Sequence, residues 1–384
     1  MSEALINNEI LKWARTRCNY DTTSASKKVN VSIEKLLEWE NGIKKPTFSQ
    51  AQKLANIYKI PLGYLFLNKA PNETIQLPDL RTLPESRKPF SAEFKDTILD
   101  VQYKQNWYVE YLKEIDYPTL DFVGKFSKND NYIVIAKDIA ETLGINDTLR
   151  QEATTYDNFL AKVIIKMEEA GIWIIKTGIV KNNTHRALSV EEFRGFSISN
   201  NLAPLVFING KDARAAQIFT LIHEVAHIWI GISGVSDNAI NLNKIRIDDE
   251  TEKLCNKIAG EVLIPNEKLM INWDRNKTID DNTQHLSNTF KVSKVVIAKR
   301  AYDVNLIDYE TYSEFYLSEK NKWKKTSKPG GNTYSNYKYS NGLRFSKAVV
   351  NQVFEGKLLY TDAAKLLNIS PHLIDKFAKE LGGN

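Results

Sequence analysis

The stretch Ala213-Arg214-Ala215-Ala216-Gln217-Ile218-Phe219-Thr220-Leu221-Ile222-His223-Glu224-Val225-Ala226-His227-Ile228-Trp229-Ile230 decides the reading of this sequence. It runs without Pro or Gly, Asp212 stands ready to cap its start, and Gly231 ends it. It therefore predicts a helix, on which His223 and His227 lie one turn apart on the same face. Only five histidines occur among 384 residues, so a His-Glu-x-x-His spacing on a capped helix is informative. Two imidazoles so placed can share one zinc ion, which leaves the intervening Glu224 to act on water as a general base. A buried structural histidine pair is the plainer alternative, which the apolar neighbours would permit. It gives no reason for three polar groups that each need a partner.

A zinc used in catalysis takes three protein ligands and leaves one position open. The other histidines, His185, His285 and His372, lie on no obvious partner helix. Downstream, Asp248-Asp249 can start a helix running to Val262, with Leu254, Ile258 and Val262 as its apolar stripe. Glu252 shares a face with Cys255, Asn256 and Ala259 that flanks this stripe, and it can point inward. Glu250 and Glu261 are expected on the solvent side. Glu252 is thus the third ligand, with Glu250 as the fallback. Arg214, His185 or a tyrosine could stabilise an oxyanion, and the sequence does not choose among them.

Upstream, Glu152–Ala170 reads as an amphipathic helix. Gly171–Ile175, Phe196–Ile198 and Leu205–Ile208 read as strands leading into the histidine helix. The class is α+β and predominantly helical, with a small sheet packed on two helices that share a metal.

Composition bounds the rest. Hydrophobic residues make up 42% and charged residues 26% of the chain, enough for ordinary cores. No apolar run approaches the roughly 20 residues of a membrane span. Cys18 and Cys255 form no disulfide framework, so a reducing cytosol is the expected compartment. Residues 1–70 hold eleven Lys/Arg against six Asp/Glu, an excess that equals the net charge of +5 for the whole chain. That segment divides into short helices. Ser32 caps Ile33–Glu40, Asn41-Gly42 ends that helix, and Phe48–Tyr58 follows the Lys45-Pro46-Thr47 loop.

This layout, with Val31-Ser32-Ile33 and then Trp39 through Pro46, resembles the lambda-repressor-like, or Xre-type, DNA-binding family. The resemblance implies that Ser32 and Lys35 face the major groove of duplex DNA and that Lys44 and Lys45 lie near phosphates. Glu34 and Glu38 on the same helix would weaken that approach. A helical protein-contact module is the alternative.

Phe193 to Ser197, Ile218 to His227 and Glu252 to Pro265 together resemble the ImmA/IrrE family of zinc metallopeptidases. Cys255 stands where the family has Ala, and Ile258 where it has Phe. The resemblance implies a zincin-like domain with zinc ligands His223, His227 and Glu252 and general base Glu224. It also implies a protein substrate, a helix-turn-helix repressor whose cleavage relieves repression. A regulator or antitoxin-like protein that keeps the scaffold without turnover is the rival reading.

The expected organisation is a helix-turn-helix domain at 1–70, a linker and helical connecting region at 71–149, the zincin-like domain at 150–320 and a C-terminal helical hairpin at 340–384. Pro71–Arg87 and Lys320–Tyr339 read as linkers. Phe90–Tyr117, Tyr132–Thr142 and Phe290–Tyr302 are expected helices. Ser370 and Pro371 should open the last one.

Overall fold

The computed structural model describes residues 3–73, 90–236, 249–322 and 339–382. Most of both expected linkers, and Asp248, lie outside the described residues. The chain divides into two units, with the boundary inside the helix Ala92–Glu114, between Gln102 and Tyr103.

The first unit contains α1 (Asn8–Arg17), α2 (Thr22–Val29), α3 (Ile33–Glu40) and α4 (Phe48–Ile57), then a 3₁₀ turn at Leu62–Phe66 and the start of α5 (Ala92–Glu114). Local sequence sets each start, because the first backbone N–H groups of a helix lack intrahelical acceptors. Asn7, Asp21, Ser32 and Thr47 supply side-chain acceptors, and Thr47 with Gln50 closes a reciprocal capping box. The core is Ile10, Leu11, Ala14, Val29, Leu36, Trp39, Leu54 and Tyr58, all buried. Arg15 of α1 grips Glu40 at the end of α3 through Nε–Oε1 at 2.7 Å and Nη2–Oε2 at 2.9 Å. Arg17 is also buried and pairs with Glu73 and Asp96.

The second unit carries α6 (Tyr132–Thr142), α7 (Asp147–Gln151) and α8 (Tyr156–Glu169), then β1 (Trp173–Thr177), β2 (Gly195–Ile198) and β3 (Leu205–Asn209). After α9 (Arg214–Trp229) come β4 (Gly234–Ser236) and α10 (Asp249–Leu263). The sheet order is β1-β3-β2-β4. β1 and β3 are parallel, with Trp173 opposite Leu205, and the other two pairings are antiparallel. Successive strand residues face opposite ways. Ile172, Ile174, Val206 and Ile208 therefore pack against Ile218, Leu221, Ile222 and Val225 of α9, and α10 adds Ile258, Ala259 and Val262 to the same core. On the other face Trp173 stacks on Phe345, with ring centroids 4.5 Å apart.

Phe345 belongs to the C-terminal helices α15 (Leu343–Phe354), α16 (Tyr360–Leu367) and α17 (Ile374–Glu380). Before them lie α11 (Asn266–Asn272), α12 (Ile279–Phe290), α13 (Lys294–Asp303) and α14 (Tyr309–Lys322). The C-terminal helices are tied to the sheet edge by polar bonds. Trp173 Nε1 donates to the carbonyl of Asn341 at 2.6 Å, and Asn341 Nδ2 donates to the carbonyl of Leu367 at 2.9 Å.

Several local expectations shift. β1 starts two residues later than expected, because Gly171 has a φ of +104° that suits a turn. Asp212 is not the N-cap of α9. Ala213 holds that place, and Asp212 instead accepts from the Ala213 N–H and faces Arg194. The helix expected over Phe290–Tyr302 is the end of α12 and the whole of α13, parted at Lys291, whose φ is +57°. Ser370 makes no side-chain cap bond, and the stretch it opens is a 3₁₀ turn before α17. Glu261 does not face solvent. It is 9% exposed and pairs with the buried Arg300, which also donates to the carbonyl of Ile264. Arg150, likewise buried, donates to the carbonyls of Val262 and Leu263. Two guanidinium groups thus satisfy the C-terminal carbonyls of α10, where the helix dipole is negative.

Candidate metal centre

Helices α9 and α10 build the centre. Burial of Leu221, Ile222 and Val225 on one side of α9 fixes its rotation and turns His223 and His227 toward α10. Both residues are at most 2% exposed. Their Nε2 atoms lie 3.1 Å apart. From α10, Glu252 brings Oε2 to 3.2 Å from His223 Nε2 and Oε1 to 3.1 Å from His227 Nε2. Potential ligand atoms from the three residues fall within 4.8 Å of one another, the one His/Cys/Asp/Glu cluster of this kind among the described residues.

The donor set fits a small divalent cation. Ligands about 2.1 Å from a shared tetrahedral ion stand roughly 3.4 Å from one another, close to the observed spacing. Two imidazole lone pairs and a carboxylate converge at one point, and a cation there would neutralise their repulsion. The electrostatics point the same way. Burial disfavours the ionised Glu252 carboxylate, but His223 and His227 outweigh it and hold the group well below the usual carboxylate range. Burial likewise disfavours a charged His227, yet Cys255 and Glu252 outweigh it and raise its pKa, so a proton competes with a cation for this ring.

Neighbours orient these donors. His223 Nδ1 lies 3.1 Å from Asn256 Oδ1. An Nδ1–H donating there leaves the Nε2 lone pair for a metal. His227 Nδ1 has no nitrogen or oxygen partner among the described residues, and the fully buried Cys255 thiol lies against its ring.

Glu224, on the same helix, is fully buried, and Ser197 Oγ donates to its Oε2 at 2.8 Å. Gly195 lies beneath the same carboxylate. A Cβ built there would stand 2.7 Å from Thr220 Cγ2 and 3.3 Å from Glu224 Oε1, so the strand approaches α9 only because position 195 has no side chain. At the far end of α9, Gly231 and Gly124 both have positive φ, and their backbones nearly touch. The Gly124 and Phe126 N–H groups donate to the terminal carbonyls of Ile228 and Trp229.

The residues expected at the site are placed as follows. His223, His227 and Glu252 come together, and Glu224 follows His223 on α9 with its carboxylate against Gly195 and Ser197 of β2. Glu250 is exposed. Arg214 starts α9 and pairs with Asp157 at 2.5 Å, nine residues and thus about 13 Å along the axis from His223. His185 is exposed on a loop after β1. In the first unit, Ser32, Lys35, Lys44 and Lys45 are all exposed. Ser32 accepts the Lys35 N–H, and Lys44 Nζ is 2.8 Å from Glu38 Oε1. Lys35 Nζ lies 5.5 Å from the Trp39 ring centroid. Sequence reading placed Asn256 beside Glu252 but gave it no role, and it missed Ser197. The signal for Ser197 was a polar residue inside an otherwise apolar strand.

Residues 167–302 match the IrrE N-terminal-like domain of the peptidase M78 family. Residues 11–65 match a helix-turn-helix family. These are the matches of an ImmA/IrrE protein with an N-terminal Xre-type helix-turn-helix domain. The ImmA/IrrE part spans β1 to β4 and both helices of the metal centre, as well as α11 to α13. The family suggests a metallopeptidase, and its metal dependence agrees with the His-His-Glu cluster. Residues 341–380, the C-terminal helices, match a domain of unknown function (DUF8813). No curated protein matches the chain. No helix among the described residues is long and apolar enough to cross a membrane.

Proposed function

We propose that this chain is a zinc-dependent endopeptidase of the cytoplasm that cleaves a helix-turn-helix repressor and thereby relieves transcriptional repression. The observation that carries the reading is the triangle of His223 Nε2, His227 Nε2 and the Glu252 carboxylate, 3.1–3.2 Å on each side, with Glu224 on the same helix. In this reading His223, His227 and Glu252 hold the metal. A bound zinc supplies Lewis acidity at a carbonyl oxygen and makes water more acidic. Glu224 takes a proton from the attacking water and delivers it to the nitrogen of the leaving amine. The low dielectric around this carboxylate strengthens its interactions with developing charge.

In the same proposal residues 1–70 form a DNA-binding domain that uses Ser32, Lys35, Lys44 and Lys45, with a connecting region at 71–149, the peptidase domain at 150–320 and the hairpin at 340–384. The N-terminal domain brings the enzyme to a repressor bound on a neighbouring half-site and raises the local substrate concentration.

The test is incubation of the zinc-loaded chain with a helix-turn-helix repressor encoded beside it, with and without a chelator. Cleavage that stops with chelator and in Glu224→Gln supports the reading. Cleavage that survives Glu224→Gln at full rate refutes the assigned base. An intact repressor under all conditions favours the regulator without turnover.

A further inference from the structure

Strand β2 sits under the histidine helix and brings two unusual residues to it. A buried strand is ordinarily built from β-branched and aromatic side chains. Here the residues facing α9 are Gly195 and Ser197, whereas Phe196 turns away and stacks on Phe207 with centroids 4.8 Å apart. Ser197 is fully buried, and a buried hydroxyl is costly unless hydrogen-bonded. Its partner is a single carboxylate oxygen, Glu224 Oε2, at 2.8 Å. A hydroxyl donating to a carboxylate is stronger and more directional than a bond between neutral groups. The backbone of Ser197 is fixed on both sides, opposite Val206 of β3 and Gly234 of β4. The hydroxyl is therefore presented to Glu224 Oε2 from a rigid element. The missing Cβ at position 195 makes room for Oε1.

We infer that Ser197 is a positioning residue that aims the Glu224 carboxylate at the metal centre. The inference rests on the reading of Glu224 as the base, and it adds the strand residue that orients it. Ser197 hydrogen-bonds Glu224 and none of the metal-ligand atoms of His223, His227 or Glu252, so its loss should leave metal binding intact. What it should change is the interaction of Glu224 with a molecule at the open side of the metal.

Acetohydroxamate is a suitable probe, because it chelates a metal through two oxygens and passes a proton to an adjacent carboxylate. The experiment compares the zinc-loaded full chain with Ser197→Ala, Ser197→Thr, Ser197→Val and Glu224→Gln. Zinc content, thermal melting and acetohydroxamate affinity by calorimetry are read for each. Thr and Val have nearly the same shape and differ in the hydroxyl, so that pair isolates the hydrogen bond from packing. The expected result is equal zinc content throughout. Acetohydroxamate affinity should be about tenfold weaker in the Ala and Val variants, weakened in Glu224→Gln, and near the native value in Thr.

Equal affinity in Thr and Val, with Glu224→Gln still impaired, overturns the role of Ser197 and leaves the base assignment standing. Native affinity in Glu224→Gln overturns the base assignment and the inference together. Loss of zinc or of folding in both Ala and Val assigns Ser197 to the fold alone and also overturns it. Once a cleaved repressor is in hand, the Ala variant should lower kcat with KM little changed.

Discussion

Nδ1 of His223 and Oδ1 of Asn256 lie 3.1 Å apart, linking the two helices of the metal centre directly behind one of its donors. Outer partners of this kind fix the ring orientation and the tautomer, and losing one commonly costs 10–100-fold in metal affinity. Asn256→Ala should therefore weaken zinc binding by about tenfold or more, with the fold retained. Competition with a chromophoric chelator measures this. Native affinity in the variant would mean that packing alone holds the ring.

Glu252 and Glu250 are two residues apart on α10 and meet different surroundings. Glu252 reaches both imidazoles, whereas Glu250 is exposed. Glu252→Ala and His227→Ala should each abolish stoichiometric zinc, while Glu250→Ala and Glu224→Gln should retain it. Elemental analysis after gel filtration decides the matter. Zinc retained in Glu252→Ala and lost in Glu250→Ala would reverse the ligand assignment.

Arg15 and Glu40 form a buried two-pronged ion pair, with side chains 9% and 2% exposed. Removing one partner leaves the other charge without compensation, at a cost of about 3–5 kcal/mol. Arg15→Ala should speed amide hydrogen exchange across Asn8–Ile57 in the full chain while the zinc stays bound. The paired replacement Arg15→Met with Glu40→Leu should be much milder, because no lone charge remains. Equal damage from both would show that geometry rather than charge is at stake.

What was legible from sequence followed from local causes. Ser32 marked the third helix, and the structure shows Asn7, Asp21 and Thr47 capping the other three in the same local way, each within three residues of the N–H group it satisfies. The wheel position of Glu252 was readable because its apolar stripe is regular. Glu261 failed the same argument for a physical reason. The wheel knows only its own helix, and the buried Arg300 that receives Glu261 comes from a segment 39 residues away. Strand β4 was missed because Gly234-Val235-Ser236 is too short to show an alternation, and pairing with β2 makes it a strand. The bond from Ser197 to Glu224 spans 27 residues and required the sheet to be placed first.

The third helix of the first unit presents acids beside its bases. Lys44 is paired with Glu38, an exposed contact with little worth for stability. For a DNA-binding role the pair is costly, because Glu38 both repels phosphates and occupies a cation. Glu38→Gln should tighten binding to duplex DNA from the chain's own promoter region, and Lys44→Ala should weaken it. Both effects should shrink as salt is raised. Gel-shift titrations at two salt concentrations measure this, and no difference between Glu38→Gln and the native chain would remove α3 from the DNA interface.

Lys176 gives a pH dependence of stability that can be signed in advance. It sits on β1, half-buried, with its ammonium 4.5 Å from the centre of the Tyr339 ring. Burial, and secondarily the charge of Arg214, push its pKa down to about 8, with Asp157 opposing only weakly. An unfolded lysine titrates near 10.4, so between these values the unfolded chain binds more protons than the folded one. Stability therefore rises with pH across that window, and the penalty is felt in full below about pH 8. Lys176→Met keeps the apolar stem and removes the charge. It should raise the denaturation midpoint at pH 7, and the gain over the native chain should narrow as the pH approaches 9.5. Urea denaturation at intervals of half a pH unit reads both trends. A constant difference between the two proteins from pH 7 to 9.5 would mean that the variant acts through packing, and that the lysine is not held against its charge.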